Sequence, residues 1–357
     1  MPTPRMSPRR IVVTGLICLI AWCASATSAV GSSKGPAPLY WGAEIGAQIT
    51  GEKAPWDMRA VRRFAKVAGK GLSLVSFTAP FAECSGSSCV FGKFPTTPLE
   101  NVRRYGAIPV FGWNSGSNAP GVRQPEFGLA DLIGGRYDAY IREFAIEARE
   151  WGHPFFLRFD WEMNGFWFPW AEGVNGNKPG EFVLAWRHVH DIFSSVGATN
   201  ATWVWSPNID LQGALTPLRS LYPGDRYVDW TGIDGFNWGK RRGSPGWRTF
   251  DQVFQGTYRR IVRGIAPGKP LMISEVASTA RGGNKAAWIK DMLAKIPRRY
   301  PKVRGVVWYD LNDRGSGWPI ETSPRASSAF RNGIGAAVYR PNLYGDVATS
   351  PIRPPSR

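Results

Sequence analysis

Two glutamates stand at the ends of apolar runs, and both runs read as buried strands. One run is Phe155-Phe156-Leu157-Arg158-Phe159-Asp160-Trp161-Glu162; the other is Leu271-Met272-Ile273-Ser274-Glu275. A carboxylate delivered by an apolar approach is costly unless it is paired or used. Arg158 is the obvious pairing partner, and pairing is compatible with a chemical role. Two carboxylates brought face to face suit the hydrolysis of a glycosidic bond. One protonates the leaving oxygen while the other acts at the anomeric carbon, and their separation decides between retention and inversion. That chemistry needs no metal and no organic cofactor, and none is expected. With only three histidines, His153, His188 and His190, a His-rich metal centre is not expected either.

A sugar presents apolar C–H faces and a rim of hydroxyls, so its groove needs flat rings and amides together. The chain is rich in both. It has 17 Trp, and aromatic residues make up 13% of it. The ring candidates nearest the strand ends are Trp113, Trp161, Trp167, Trp170, Phe236, Trp238 and Trp308. The polar candidates are Arg158, Asn164, Asn208 and Asn237, with Glu44, Asp234 and Asp313 beside them. Asp160 is two residues from Glu162, on the same side of an ideal strand, where its charge would raise the pKa of Glu162 unless it is simply hydrogen-bonded at the barrel rim.

These residues must be positioned by the elements around them. Eight short apolar runs read as strands buried on both faces: Leu39–Gly46, Leu72–Thr78, Ile108–Trp113, Pro154–Asp160, Ala201–Ser206, Asp229–Phe236, Pro270–Glu275 and Val303–Tyr309. Helical spacing falls between them at Trp56–Ala68, Pro98–Tyr105, Tyr137–Trp151, Glu181–Val196, Phe250–Ile265, Asn284–Ile296 and Pro324–Ile334, with a weak turn at Pro217–Leu221. This alternation predicts an α/β fold, a single (β/α)8 barrel over residues 39–338. No Gly-rich phosphate turn follows the first strand, which disfavours an open dinucleotide-binding sheet. In a barrel the ends of the fourth and seventh strands share one face, so Glu162 and Glu275 are expected to converge there.

The motifs in this order resemble glycoside hydrolase family 26. They are LRFDWEMNGFWFPW at Leu157–Trp170, WVWSPN at Trp203–Asn208, YPGDRYVDWTGIDGFNWG at Tyr222–Gly239, ISEVAS at Ile273–Ser278 and VVWYDLND at Val306–Asp313. The resemblance spans roughly Tyr40 to Ile320. It implies a barrel of the clan A type and a retaining double displacement, with Glu162 as acid/base and Glu275 as nucleophile. It also implies a β-linked polysaccharide substrate, with β-mannan or glucomannan leading and mixed-linkage glucan, xylan or an exopolysaccharide as alternatives. Two positions depart from the family. Trp161 replaces the His that commonly precedes the acid. Phe236 replaces a Tyr that commonly donates to the nucleophile, which leaves Arg158 or Asn237 to orient Glu275. A carbohydrate-binding barrel without turnover is the competing class, and the presence of both carboxylates argues against it.

Residues 1–29 read as a secretory leader. Arg5, Arg9 and Arg10 precede the apolar run Ile11–Ala26, and small residues follow at 24–29. A flexible lead-in at 30–38 and an irregular, basic, Pro-rich tail at 339–357 are expected to flank the barrel. No further segment is apolar enough to span a membrane, and a secreted or periplasmic monomer is the expectation. In an oxidising compartment Cys84 and Cys89 can close a small disulfide loop. Without residues 1–29, which hold three Arg and no acid, the net charge of +17 becomes +14, which suits an anionic polymer or envelope surface or serves solubility. Nucleic acid is not expected as a partner, since no recognition motif accompanies the charge.

Overall fold

The computed structural model describes residues 1–4, 35–86, 88–210, 216–241 and 243–356. The leader, apart from residues 1–4, and most of the lead-in lie outside them. Within residues 36–357, ten strands form one sheet that closes on itself. They are β1 (Leu39–Ile45), β2 (Leu74–Ser85), β3 (Ser88–Phe91), β4 (Ile108–Ser117), β5 (Phe155–Phe159), β6 (Ala201–Trp205), β7 (Trp230–Asn237), β8 (Leu271–Ser278), β9 (Val303–Asp310) and β10 (Tyr339–Arg340). Eight of them, β1, β2 and β4–β9, pair in parallel and in sequence order, and β1 joins both β9 and β2 to complete the ring. The helices between them are α1 (Met58–Ala68), α2 (Thr96–Tyr105), α3 (Leu129–Ile133), α4 (Asp138–Trp151), α5 (Glu181–Ser195), α6 (Phe250–Arg260), α7 (Lys285–Arg299) and α8 (Pro324–Ile334). The fold is the expected (β/α)8 barrel. Between β6 and β7 the described residues supply only a 3-10 turn, Leu218–Leu221.

Local chemistry sets the helix ends. Asp57 caps α1 by accepting from the Arg59 amide, and Gly69 ends it at φ 71°, where a side chain would be strained. Thr249 and Gln252 form a reciprocal capping box at the start of α6. The buried positions Ala60, Val61, Phe64 and Ala68 make the inner stripe of α1.

Strand alternation divides the core in two. Tyr40, Leu74, Ile108, Val110, Phe156, Val204, Trp230, Met272 and Val307 fill the barrel interior. The alternate positions, such as Trp41, Val75, Phe111, Trp113, Leu157, Trp205 and Trp308, pack toward the helices. Gly42 allows the ring to close, because a Cβ there would lie 1.9 Å from the Leu74 carbonyl oxygen of β2. The chain's end shuts the N-terminal mouth. Tyr40 donates to the Arg353 carbonyl at 2.9 Å, Trp230 Nε1 donates to that of Ile352 at 2.7 Å, and Ile352 joins the interior cluster.

The second strand departs from its expected end at Thr78. It continues past a register shift at Pro80–Ala82 to Ser85 and folds back through β3 as an antiparallel hairpin. Pro80 ends the apolar pattern in sequence, yet at a bulge its missing N–H costs no ladder bond. Cys84 and Cys89 face each other across this hairpin and form a disulfide.

Candidate active site

With the N-terminal mouth closed, the barrel opens at the C-terminal ends of its strands. There the inward positions turn polar: Glu44, Ser76, Arg158, Ser206, Asp234, Ser274 and Glu275 are all buried. Arg158 is at the centre, fully buried. Its Nη1 and Nη2 each donate to Glu275 Oε1 at 3.1 Å, and Nη2 also donates to Asp234 Oδ2 at 2.6 Å. Ser206 Oγ donates to Asp234 at 3.2 Å and lies 2.9 Å from Ser274 Oγ. The register of β8 shifts against both neighbours beside Glu275. A shift of this kind re-aims a side chain, so Ser274 and Glu275 both reach the inner layer.

Glu162 arrives differently. β5 ends at Phe159, and the chain then turns with Asp160 at φ 41° and Glu162 at φ 55°. Left-handed backbone at non-glycine residues costs about 1–3 kcal/mol each and is held by its surroundings. Two sets of bonds hold it here. The Glu162 amide donates to the Ser206 carbonyl at 2.7 Å, and Asp160 accepts from Ser115 N at 2.7 Å and Oγ at 2.8 Å. The Glu162 carboxyl accepts from Trp167 Nε1 at 2.6 Å and from Asn208 Nδ2. One oxygen from each of Glu162, Asp234 and Glu275 lies within 4.8 Å of the others. Three carboxylates this close resemble a cation site, and any metal ion there would compete with the Arg158 guanidinium for Asp234 and Glu275.

The two glutamates have unlike environments. Burial, then the nearby Glu275 charge, pushes Glu162 up to about 8, against the bonds from Asn208 and Trp167 and the more distant Arg158. Burial also raises Glu275, but the charge of Arg158 and its hydrogen bonds oppose the rise directly. The site proton therefore belongs on Glu162. Beside them Glu44 is pushed up to about 7 by burial and by Glu275, with Ser76 donating to it at 3.0 Å. Tyr309, paired in register with Glu44, is raised by burial and then by the charges of Glu44, Glu275, Asp313 and Glu162.

The structure gathers Glu162, Glu275, Arg158, Asn208, Trp167 and Phe236 around this layer. Trp161 is there too, its ring 5.7 Å from the Arg158 guanidinium and packed on Phe168 and Trp170. Trp238 is half-buried against Phe236 and Trp318 at the rim. Other expectations are corrected. Trp113 stacks on Phe144 of α4 at 4.0 Å and is fully buried outside the ring. Trp308 likewise turns outward onto Phe330 of α8, and Tyr309 holds the inward position. Trp170 is buried, donates to the Trp161 carbonyl and stacks on Phe168, so it supports the loop from beneath. Asn164 is spent on Asn208, bonding both its carbonyl and its amide. Asn237 donates to Ser278 and accepts from the Gly239 and Arg248 amides, so of the two expected partners it is Arg158 that bonds Glu275. Asp160 is occupied by Ser115, and ideal strand parity no longer applies beyond Phe159. Sequence reasoning missed Tyr309 and ranked Glu44 only among the polar candidates. The inward series Gly305, Val307, Tyr309 was the signal for Tyr309.

Known proteins share parts of this sequence and the fold. Residues 132–297 match the model of Glycosyl hydrolase family 26. Endoglucanase H of Acetivibrio thermocellus is 40% identical over 246 residues, which covers 67% of this chain and 27% of that protein. A beta-1,3-xylanase, TXYA, of a Vibrio species is 28% identical over 125 residues, or 33% of this chain and 26% of that one. The chain thus spans about a quarter of the length of these two relatives. Among solved structures, the catalytic domain of an endo-beta-1,4-mannanase of that family from Bacillus sp. JAMB-750 superposes with a TM-score of 0.63 at 16% identity. It covers 88% of this chain and 89% of that one, and at this identity it supports the fold alone.

Proposed function

The chain belongs to glycosyl hydrolase family 26, and we propose that it is a retaining endo-glycosidase of β-linked polysaccharides. The observation that carries this reading is the convergence of Glu162 and Glu275, with Arg158 bonded to only one of them. Oxygens within 4.8 Å suit the short carboxyl separation of about 5–5.5 Å that accompanies retention.

In this reading Glu275 attacks the anomeric carbon and Glu162 gives its proton to the leaving oxygen. A glycosyl ester forms on Glu275 as the glycosidic bond breaks. Loss of the Glu275 charge removes one of the forces holding the Glu162 pKa up. The Glu162 carboxylate then takes a proton from water as the water attacks the ester, restoring both residues. Arg158 keeps Glu275 ionised and fixed in direction. Trp161 cannot titrate, so tuning falls to Asn208 and Trp167.

β-1,4-Mannan or glucomannan is the leading substrate, on the sequence motifs. A second reading, a β-glucan, draws support from the 40% identity to an endoglucanase. The basic, apolar start of the chain supports export, which N-terminal sequencing of protein from the medium tests. The test of function is reducing-end release from mannan, glucomannan, mixed-linkage glucan, xylan and an acidic exopolysaccharide, run beside Glu275→Ala. Cleavage of one polymer, abolished in the variant, supports the reading. Release that survives the substitution overturns the assignment of Glu275.

A further inference from the structure

The loops that follow β7 and β8, residues 238–249 and 279–284, carry five cations and no Asp or Glu, and four of the five, Lys240, Arg241, Arg248 and Arg281, are among the described residues. They are tied into one lip. The Lys240 amide donates to the Arg281 carbonyl at 2.9 Å, and Arg281 Nη2 reaches the Gly315 carbonyl at 2.8 Å in the loop after β9. The stem of Lys240 lies across Gly282, where a Cβ would meet its Cγ at 2.7 Å, and Trp247 covers Gly283.

Lys240, Arg241 and Arg281 are exposed, and Arg248 is half-buried, with burial lowering its pKa. Among the described residues none of the four forms an ion pair with a carboxylate. Like charges held together by backbone bonds repel one another, and an anionic ligand relieves that repulsion.

The lip adjoins the site through a chain of rings. The Arg241 guanidinium lies 5.1 Å over the Trp238 ring. Trp238 packs on Phe236, and Phe236 meets Tyr309 edge-on at 5.4 Å. Tyr309 in turn feels the charges of Glu275 and Glu162. The Trp238 ring supports the Arg241 guanidinium, whose N–H fork suits a two-oxygen anion.

We propose that this lip is a subsite for acidic groups, so that the polysaccharide it receives carries carboxylate or sulfate substituents beside the bond to be cut. The inference rests on the glycosidase reading for the class of polymer. The charge, the lack of ion pairs to carboxylates among the described residues and the place at the rim supply the rest. A neutral mannan or glucan would offer these cations no anionic group.

Binding separates this inference from turnover. Full-length Glu275→Ala protein is titrated against carboxymethyl cellulose, cellulose sulfate and uncharged hydroxyethyl cellulose, with duplex DNA as a polyanion control, at low and high salt. The expected result is about tenfold tighter binding of a charged polymer than of the uncharged one, weakening with salt. Lys240→Ser/Arg241→Ser in the same background abolishes the preference, with an unchanged melting temperature showing that the fold is kept. Preference for the carboxymethyl or the sulfated polymer identifies the anion. Equal binding of charged and uncharged polymers, a preference untouched by the double substitution, or equally tight binding of DNA overturns the subsite. Reducing-end release by the protein without Glu275→Ala tests the glycosidase reading separately.

Discussion

Arg158 donates two hydrogen bonds, each 3.1 Å, to a single oxygen of Glu275. The other oxygen, Oε2, receives neither. A carboxylate held by one oxygen keeps its charge and direction while the second remains available to attack carbon. Arg158 also anchors to Asp234, so three barrel strands, β5, β7 and β8, fix the orientation of the proposed nucleophile.

Substitution at Arg158 separates charge from geometry. Arg158→Lys keeps the charge and loses the planar fork, and kcat is expected to fall about 100- to 1000-fold. Arg158→Met leaves Asp234 and Glu275 buried without a cation, and denaturant unfolding should show a loss of about 3–5 kcal/mol. A Lys variant close to the parent in kcat would mean that the fork has no part in catalysis.

The pH profile follows from Glu162. The acid must be protonated to act, and its pKa is pushed up to about 8. Activity is therefore expected to persist through neutrality and to fall as pH rises through about 8. An ordinary carboxylate would give up its proton near pH 4.3. Measurement of kcat/KM from pH 4 to 10 checks this; a decline completed by pH 6 would show that Glu162 has an ordinary pKa.

Trp167 donates to Glu162, and that bond lowers the pKa of Glu162. Trp167→Phe removes the donor while keeping a ring. The basic limb of the profile is expected to move to higher pH in this variant. A limb that stays in place, or moves to lower pH, would show that the indole N–H does not tune the acid.

Stability should respond in the opposite sense to activity at Glu162. Its folded pKa lies above the unfolded value of 4.5, so the folded protein loses stability as pH rises from about 4.5 to about 8. Glu162→Gln cannot ionise. It is expected to be inactive yet more stable than the parent at pH 8, by on the order of 1–3 kcal/mol. Thermal melts of both proteins at pH 5 and pH 8 read the difference, which should be small at the lower pH.

The barrel was legible because its strands are buried on both faces and so stand out as apolar runs. The proposed catalytic pair was legible because each Glu ends an apolar run and lies in a motif that resembles the family's. What sequence could not supply was which way side chains face. Trp308 looks like a sugar platform by residue type, but alternation turns it toward α8 and gives Tyr309 the site. Asn237 ends β7 one strand from Glu275, yet its side chain bonds Ser278 and the loop it starts. Asp160 and Glu162 share a parity that applies only to strand, and the strand stops at Phe159. Glu275 enters the inner layer through a register shift, which no alternating pattern announces.

The most direct test of the account is the anomeric configuration of the first-formed product, followed by proton NMR during cleavage of whichever polymer the enzyme accepts. Retention by a double displacement at Glu275 predicts that the β-anomer appears first and the α-anomer only later, by mutarotation. An α-anomer appearing first would mean single displacement by water, and would contradict the assignment of Glu275 as nucleophile.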